Sequence, residues 1–179
     1  MSLSIAPPAE DEYAPFYSRY ITRVSGRDVS AILELQPGGM RALVGGLTDA
    51  EGEARYAPGK WSVKDVLGHI ADTERVMSYR LLRIARGDAT PLPGFEQDDY
   101  VAAAGADARS VGSLLVELEA VRAATLTLVR SLGPDALARR GVSNGHIISA
   151  RALAHIIAGH WDHHTAILRE KYGLQPSSS

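Results

Sequence analysis

Five of the six histidines of this chain lie between His146 and His164. The run Ala154-His155-Ile156-Ile157-Ala158-Gly159-His160-Trp161-Asp162-His163-His164 is the dense part. At roughly 100° per residue on a helical wheel, Leu153, Ile156, Ile157, Ile167 and Leu168 form one apolar stripe. His160 and His164 fall inside it, His155 on the opposite face and His163 at its edge. Side chains at i and i+4 are neighbours on a helix, so His160 and His164 can grip one cation. Two packed, hydrogen-bonded core histidines would fit the same pattern. That alternative needs buried partners for all four ring nitrogens. A metal takes one nitrogen from each ring and favours the neutral form. Trp161 stands where a zincin helix carries its glutamate, which excludes zincin proteolysis. Two histidines do not complete a site. A third protein ligand would leave positions open for water or substrate, as in catalytic centres.

His69 is the candidate third ligand. Its helix has an apolar stripe of Val63, Val66, Ile70, Met77 and Leu81, and His69 sits on one flank. The wheel permits burial there and equally permits a boundary histidine. Asp72, one turn on, can orient the other ring nitrogen of His69, or be a solvated surface acid. Glu74 falls inside the stripe and so requires a partner, an arginine or a tyrosine hydroxyl. Gly68 and Gly159 each precede a candidate ligand, where a small residue allows close approach. The run Pro93-Gly94-Phe95-Glu96-Gln97-Asp98-Asp99-Tyr100 can lid a site or add an oxygen ligand, or be a solvated loop. Asp72 and Glu96 are the candidate catalytic acids for moving a proton.

Helices must position these groups. Ser62 is a good N-cap with Asp65 at the third helical position, and Trp61 and Val66 form the flanking hydrophobic staple. Arg80, Arg83 and Arg86 load the C-terminal end of that helix, and Gly87 stops it. Asp28 can cap a first helix to about residue 47, with Pro37-Gly38-Gly39 predicting a kink or two pieces. A third helix is expected from about Ser110 to Ser131 and a last one from about Ser149 to Tyr172, with Gly173 as its stop. Residues 87–109 form a long connection, the kind that is often functional. Arg139 to Ile148 reads as irregular or weakly extended. The expected fold is all-α: a four-helix bundle over residues 27–174, an N-terminal arm over 1–26 and a disordered tail over 175–179. Tyr13, Phe16, Tyr17 and Tyr20 give the arm apolar surface to pack on the body.

At 179 residues the chain can bury one core without staples. Its formal net charge of -2 argues against nucleic-acid binding through bulk charge. With no cysteine, disulfides, iron–sulfur clusters, thiolate zinc sites and a cysteine nucleophile are excluded. No apolar run is long enough to span a membrane, and no secretory signal opens the chain. The expected setting is cytoplasmic, and the expected partner a small-molecule substrate, without nucleic acid or membrane.

The run from Lys60 to Arg75, Lys-Trp-Ser-Val-Lys-Asp-Val-Leu-Gly-His-Ile-Ala-Asp-Thr-Glu-Arg, resembles the second-helix signature of the DinB/YfiT-like superfamily. Ala152 to His164 resembles its last-helix signature. The resemblance covers about Asp28 to Leu174. It implies a four-helix bundle of unusual connectivity and a divalent metal, usually nickel or zinc, held by three histidines. By motif position these are His69, His160 and His164. Some members are S-transferases using bacillithiol, mycothiol or glutathione, others are called hydrolases, and many are dimers. The resemblance therefore implies a metal-dependent transferase for a low-molecular-weight thiol acting on small electrophiles. Its alternatives are a hydrolase using metal-activated water and a non-catalytic metal-binding stress protein. A homodimer is a further expectation.

Overall fold

The computed structural model describes residues 5–176. Of the expected tail, 177–179 lie outside the described residues; Gln175 and Pro176 are exposed and without regular structure. The first four residues of the expected arm also lie outside. From there the arm is a chain of short 3-10 turns around α1 (Ser18–Ile21). The body comprises α2 (Val29–Val44), α3 (Asp49–Gly52), α4 (Val63–Ala85), α5 (Gln97–Ala104), α6 (Val111–Arg130), α7 (Pro134–Ala138), β1 (Arg140–Ser143), β2 (His146–Ser149) and α8 (Ala150–Tyr172).

Four long helices, α2, α4, α6 and α8, make a bundle. Their N-termini are capped by Asp28, Ser62, Ser110 and Ser149, each accepting a hydrogen bond from a backbone N–H in the first turn. Ser62 and Asp65 close the expected capping box. Gly87 and Gly173 adopt the left-handed conformation just beyond α4 and α8, which a side chain would disfavour. In the packing, α2 touches α6 and α8, and α4 touches the same two. Consecutive bundle helices α2 and α4 therefore face each other across the diagonal, unlike a simple up-and-down bundle.

Three expectations are resolved by the structure. First, α2 is one helix through Pro37 rather than two pieces. A proline removes the N–H that would bond the carbonyl four residues back, and Arg122 Nη1 donates to that carbonyl, Leu33 O, at 3.0 Å. Gly38 and Gly39 lie on the exposed side. Second, residues 139–148, expected to be irregular or weakly extended, take the extended form. β1 and β2 pair antiparallel around Asn144-Gly145, with φ of 51° and 75°. Asn-Gly is the preferred dipeptide of a two-residue hairpin turn. Third, the long connection after α4 contains α5 and a 3-10 turn over Ala106–Ala108.

The apolar core is divided. One part joins Met77, Leu81 and Ile84 of α4 to the N-terminal half of α8 and to arm residues Tyr17 and Ile21. The other joins Val63 to Ala71 of α4 to Met40, Leu118, Trp161 and Leu168. Between them lies a buried polar layer. Arg122 forks onto Glu74, with Nε to Oε1 at 2.7 Å and Nη2 to Oε2 at 2.8 Å. Its Nη1 also donates to Gln36 Oε1 at 2.6 Å, and Gln36 Nε2 donates to Ala158 O and Asp162 Oδ1. The partner that Glu74 required is thus an arginine, not an arm tyrosine.

The arm is fastened at its start by Glu12, 1% exposed. Its carboxylate accepts from Ser149 Oγ at 2.7 Å and Arg151 Nε at 2.6 Å, at the head of α8. Those bonds, Arg151 foremost, hold its pKa down to about 2. Tyr17 is buried, while Tyr13 and Tyr20 pack partly buried against the core and Phe16 remains exposed. Among the described residues no helix is long and apolar enough to cross a membrane.

Candidate metal centre

His160 and His164 stand one turn apart on α8, and α4 packs beside them carrying His69. All three are buried. His69 Nε2 and His160 Nε2 are 3.0 Å apart, and one nitrogen from each ring lies within 4.8 Å of the others. Ring centroids are separated by 4.9, 4.7 and 4.5 Å. So the wheel's inward pair meets the histidine whose burial the wheel left open. Burial is the main cause that pushes the His69 pKa down to about 4 and those of His160 and His164 well below the usual imidazole value. Each would also repel a neighbour's positive charge. All three rings are therefore neutral at pH 7, the form that ligates a metal.

The surroundings fit a cation. His164 Nδ1 is buried and has no hydrogen-bond partner among the described residues, which is costly unless something else supplies one. Three neutral imidazoles suit zinc, nickel and other divalent transition ions.

Around the triad, several side chains differ from the wheel's assignments. Thr73 Oγ1, not Asp72, approaches His69 Nδ1, at 3.4 Å. Asp72 is half-buried and pairs with Arg75 instead. The step of four residues from His69 to Thr73 lands on the same face more closely than the step of three to Asp72. Glu96 is exposed beside the first residue of α5 and lines the outer part of a cavity that includes His69 and His160. His155 is buried rather than outward, with Nδ1 2.9 Å from the Arg151 carbonyl. The arm, α7 and β2 pack against α8, so its N-terminal half has almost no solvent face. His163 is half-buried at the edge, as its wheel position predicts.

Two aromatic residues complete the walls. Trp61, expected as a staple, also lies 4.7 Å from the His69 ring and nearly parallel to His164 at 6.4 Å. Lying outside the helix, it cannot be placed by a wheel. Tyr20 of the arm meets His160 edge-on at 5.3 Å and His163 at 5.5 Å. Its approach depends on Gly159, where an added Cβ would lie 2.0 Å from the Tyr20 carbonyl oxygen. Gly68 is less constrained, since a Cβ there would make ordinary contact with Ala106 at 3.4 Å.

Cavities of 310 and 540 Å³ reach the triad, the first at His69 and His160, the second at His164. Arg19, Tyr20, Gln97 and Asp98 border both. A further cavity of 690 Å³, between α2 and α8, includes none of the three histidines.

A match to the DinB superfamily spans residues 32–168, which takes in all three histidines. The chain belongs to the DinB superfamily. It is 28% identical over 140 residues to a "Putative metal-dependent hydrolase" of Geobacillus thermodenitrificans, covering 77% of this chain and 78% of that one. A like-named protein of Oceanobacillus iheyensis is 29% identical over 129 residues, or 70% and 73% of the two chains. Among solved structures, YfiT from Bacillus subtilis, described as a probable metal-dependent hydrolase with an unusual four-helix bundle topology, superposes with a TM-score of 0.70 at 19% identity over 94% of both chains. A mycothiol-dependent maleylpyruvate isomerase superposes with a TM-score of 0.56 at 16% identity, over 85% of this chain and 60% of that one. The DinB four-helix bundle is thus the fold of this chain.

Proposed function

We propose that this DinB protein is a metal-dependent enzyme that activates a low-molecular-weight thiol for transfer to a small electrophile. The observation that carries the reading is the buried, neutral triad of His69, His160 and His164 at the meeting of two cavities. A divalent cation held there, nickel or zinc by the family resemblance, would supply Lewis acidity that lowers the pKa of a thiol or a water. With no cysteine in the chain, the thiol comes from a cosubstrate such as bacillithiol, mycothiol or glutathione. The chain's own residues hold and shield the reacting groups. Trp61 and Tyr20 wall the imidazoles, and Thr73 steadies the His69 ring. The carboxylates of α4 near the triad are already engaged, Glu74 by Arg122 and Asp72 by Arg75. That favours a thiol, whose free pKa of about 8.5 asks less of a protein base than water does.

The second reading is hydrolysis with metal-activated water, favoured by the names of the two relatives; Glu96 at the cavity rim is then the proton carrier.

The test loads the protein with cobalt or nickel and adds each thiol in turn. On the thiol reading the ligand-field spectrum shifts, more strongly as pH rises toward the thiol's pKa. The shift disappears in His69→Ala. A loaded protein whose spectrum ignores all three thiols, yet which hydrolyses esters or amides, would establish the second reading instead.

A further inference from the structure

Three lysine or arginine side chains are buried among the described residues: Lys64, Arg80 and Arg122. Two of them face carboxylates. Lys64 Nζ lies 3.3 Å from Glu53 Oε1, and Arg122 forks onto Glu74. Arg80, 3% exposed, has no carboxylate at ion-pair distance among the described residues. Its contacts are neutral. Nη2 donates to Pro93 O at 2.6 Å, Nη1 lies 3.6 Å from Met77 Sδ, and the guanidinium sits 5.7 Å over the Phe95 ring. The Tyr17 phenol stands beside it. Burial works against the charge and lowers its pKa. Arginine nevertheless stays protonated in proteins, and a buried cation is rarely left unpaired.

Arg80 lines the 310 Å³ cavity that also holds His69 and His160. His69, Thr73, Met77 and Arg80 all border it. These positions, at i, i+4, i+8 and i+11, return to one face of a helix. The eleven steps from His69 to Arg80 span about 16 Å along the axis, and helical side chains lean toward the N-terminus. Arg80 therefore leans back toward the triad.

We infer that Arg80 binds the carboxylate of a small carboxylic-acid substrate and holds its other end toward the three histidines. The guanidinium fork matches the two oxygens of a carboxylate, and the missing negative charge is the one this substrate brings. The volume lies at the small end of ligand pockets, about 300–1,000 Å³, which suits a short acid. The inference rests on the catalytic reading of the triad, because it assigns the substrate class of that same site.

Wild type, Arg80→Met and Arg80→Lys, each with and without zinc, are titrated by calorimetry. The probes are acetate, succinate, fumarate and benzoate, each beside its amide, and inorganic phosphate. At least one acid is expected to bind wild type about tenfold or more tighter than its amide, the scale of a charge-assisted pair. Arg80→Met should reduce that acid to the level of its amide, and Arg80→Lys should keep part of the preference. Zinc content should match wild type in both variants. Methionine removes an unpaired buried charge, so the Arg80→Met melting temperature should equal or exceed wild type. Should Arg80→Met fail to fold, Arg80→Lys decides, and an unchanged preference in it overturns the inference. So does a wild type that prefers no acid over its amide, or one that binds phosphate tighter than every acid. A wild type that takes up no zinc yet prefers an acid through Arg80 sinks the metal reading and leaves the anion site standing.

Discussion

The three histidines act as a set because each is buried and neutral at the same point. Replacing any of His69, His160 or His164 with alanine should remove stoichiometric metal, read by elemental analysis of the purified protein. His155→Ala should keep the metal. Because His155 is buried rather than outward, that variant should also lose about 1–3 kcal/mol of stability. Retained metal in both His160→Ala and His164→Ala would falsify the site. The pH dependence has a definite sign. The pKa of folded His69, about 4, lies below its ordinary value of 6.5, so the unfolded chain takes up the proton first. Stability of the metal-free protein is then full above about pH 6.5 and falls as pH drops toward 4. This group alone accounts for about 3 kcal/mol across that window, and His160 and His164 pull the same way. Chemical denaturation of the chelated protein between pH 7.5 and 4 measures it. A flat profile would exclude buried neutral imidazoles.

Among the elements, the start of α4 and the docking of the arm set the site's geometry. Ser62 Oγ accepts from Asp65 N and donates to Asp107 Oδ1 at 2.5 Å. Ser62→Ala should cost about 1–2 kcal/mol in urea unfolding while metal content stays intact. Lost metal in a folded Ser62→Ala protein would give that cap a role in the site itself. Gly159→Ala addresses the arm. A methyl group there overlaps the Tyr20 carbonyl, so either the arm lifts or α8 shifts. A cost of about 1–3 kcal/mol and faster proteolysis within residues 13–25 are expected. Unchanged proteolysis together with unchanged stability would mean that the contact is not constraining.

Across the whole molecule, the polar layer joins all four bundle helices through Gln36, Glu74, Arg122 and the backbone of α8 at Ala158. Arg122 also lies 4.3 Å over the Trp161 ring, next to His160 in the chain. Glu74→Leu strands that arginine and should cost about 3–5 kcal/mol. The double variant Glu74→Leu with Arg122→Met should be milder, since no charge remains unpaired. It should not return to wild type, because the Leu33 carbonyl released by Pro37 loses its donor. Urea unfolding of the three proteins checks the order, and equal stability of single and double variants would remove the ion pair as the source.

What was legible in the chain was local. Serine and aspartate caps, glycine stops and 3.6-residue periodicity set α2, α4, α6 and α8 close to their observed ends, because these signals act within one or two turns. The inward aim of His160 and His164 was local for the same reason. The Asn144-Gly145 turn of the hairpin is also a local signal. Pairing of His69 with the other two, the burial of His155 and the continuity of α2 through Pro37 were not local. Each depends on a group far along the chain: α4 against α8, the arm and hairpin over α8, Arg122 beneath Leu33. A wheel orders the faces of one helix but is blind to what covers them. Only the packed bundle decides which polar face becomes interior, because burial and its desolvation cost are properties of the neighbours.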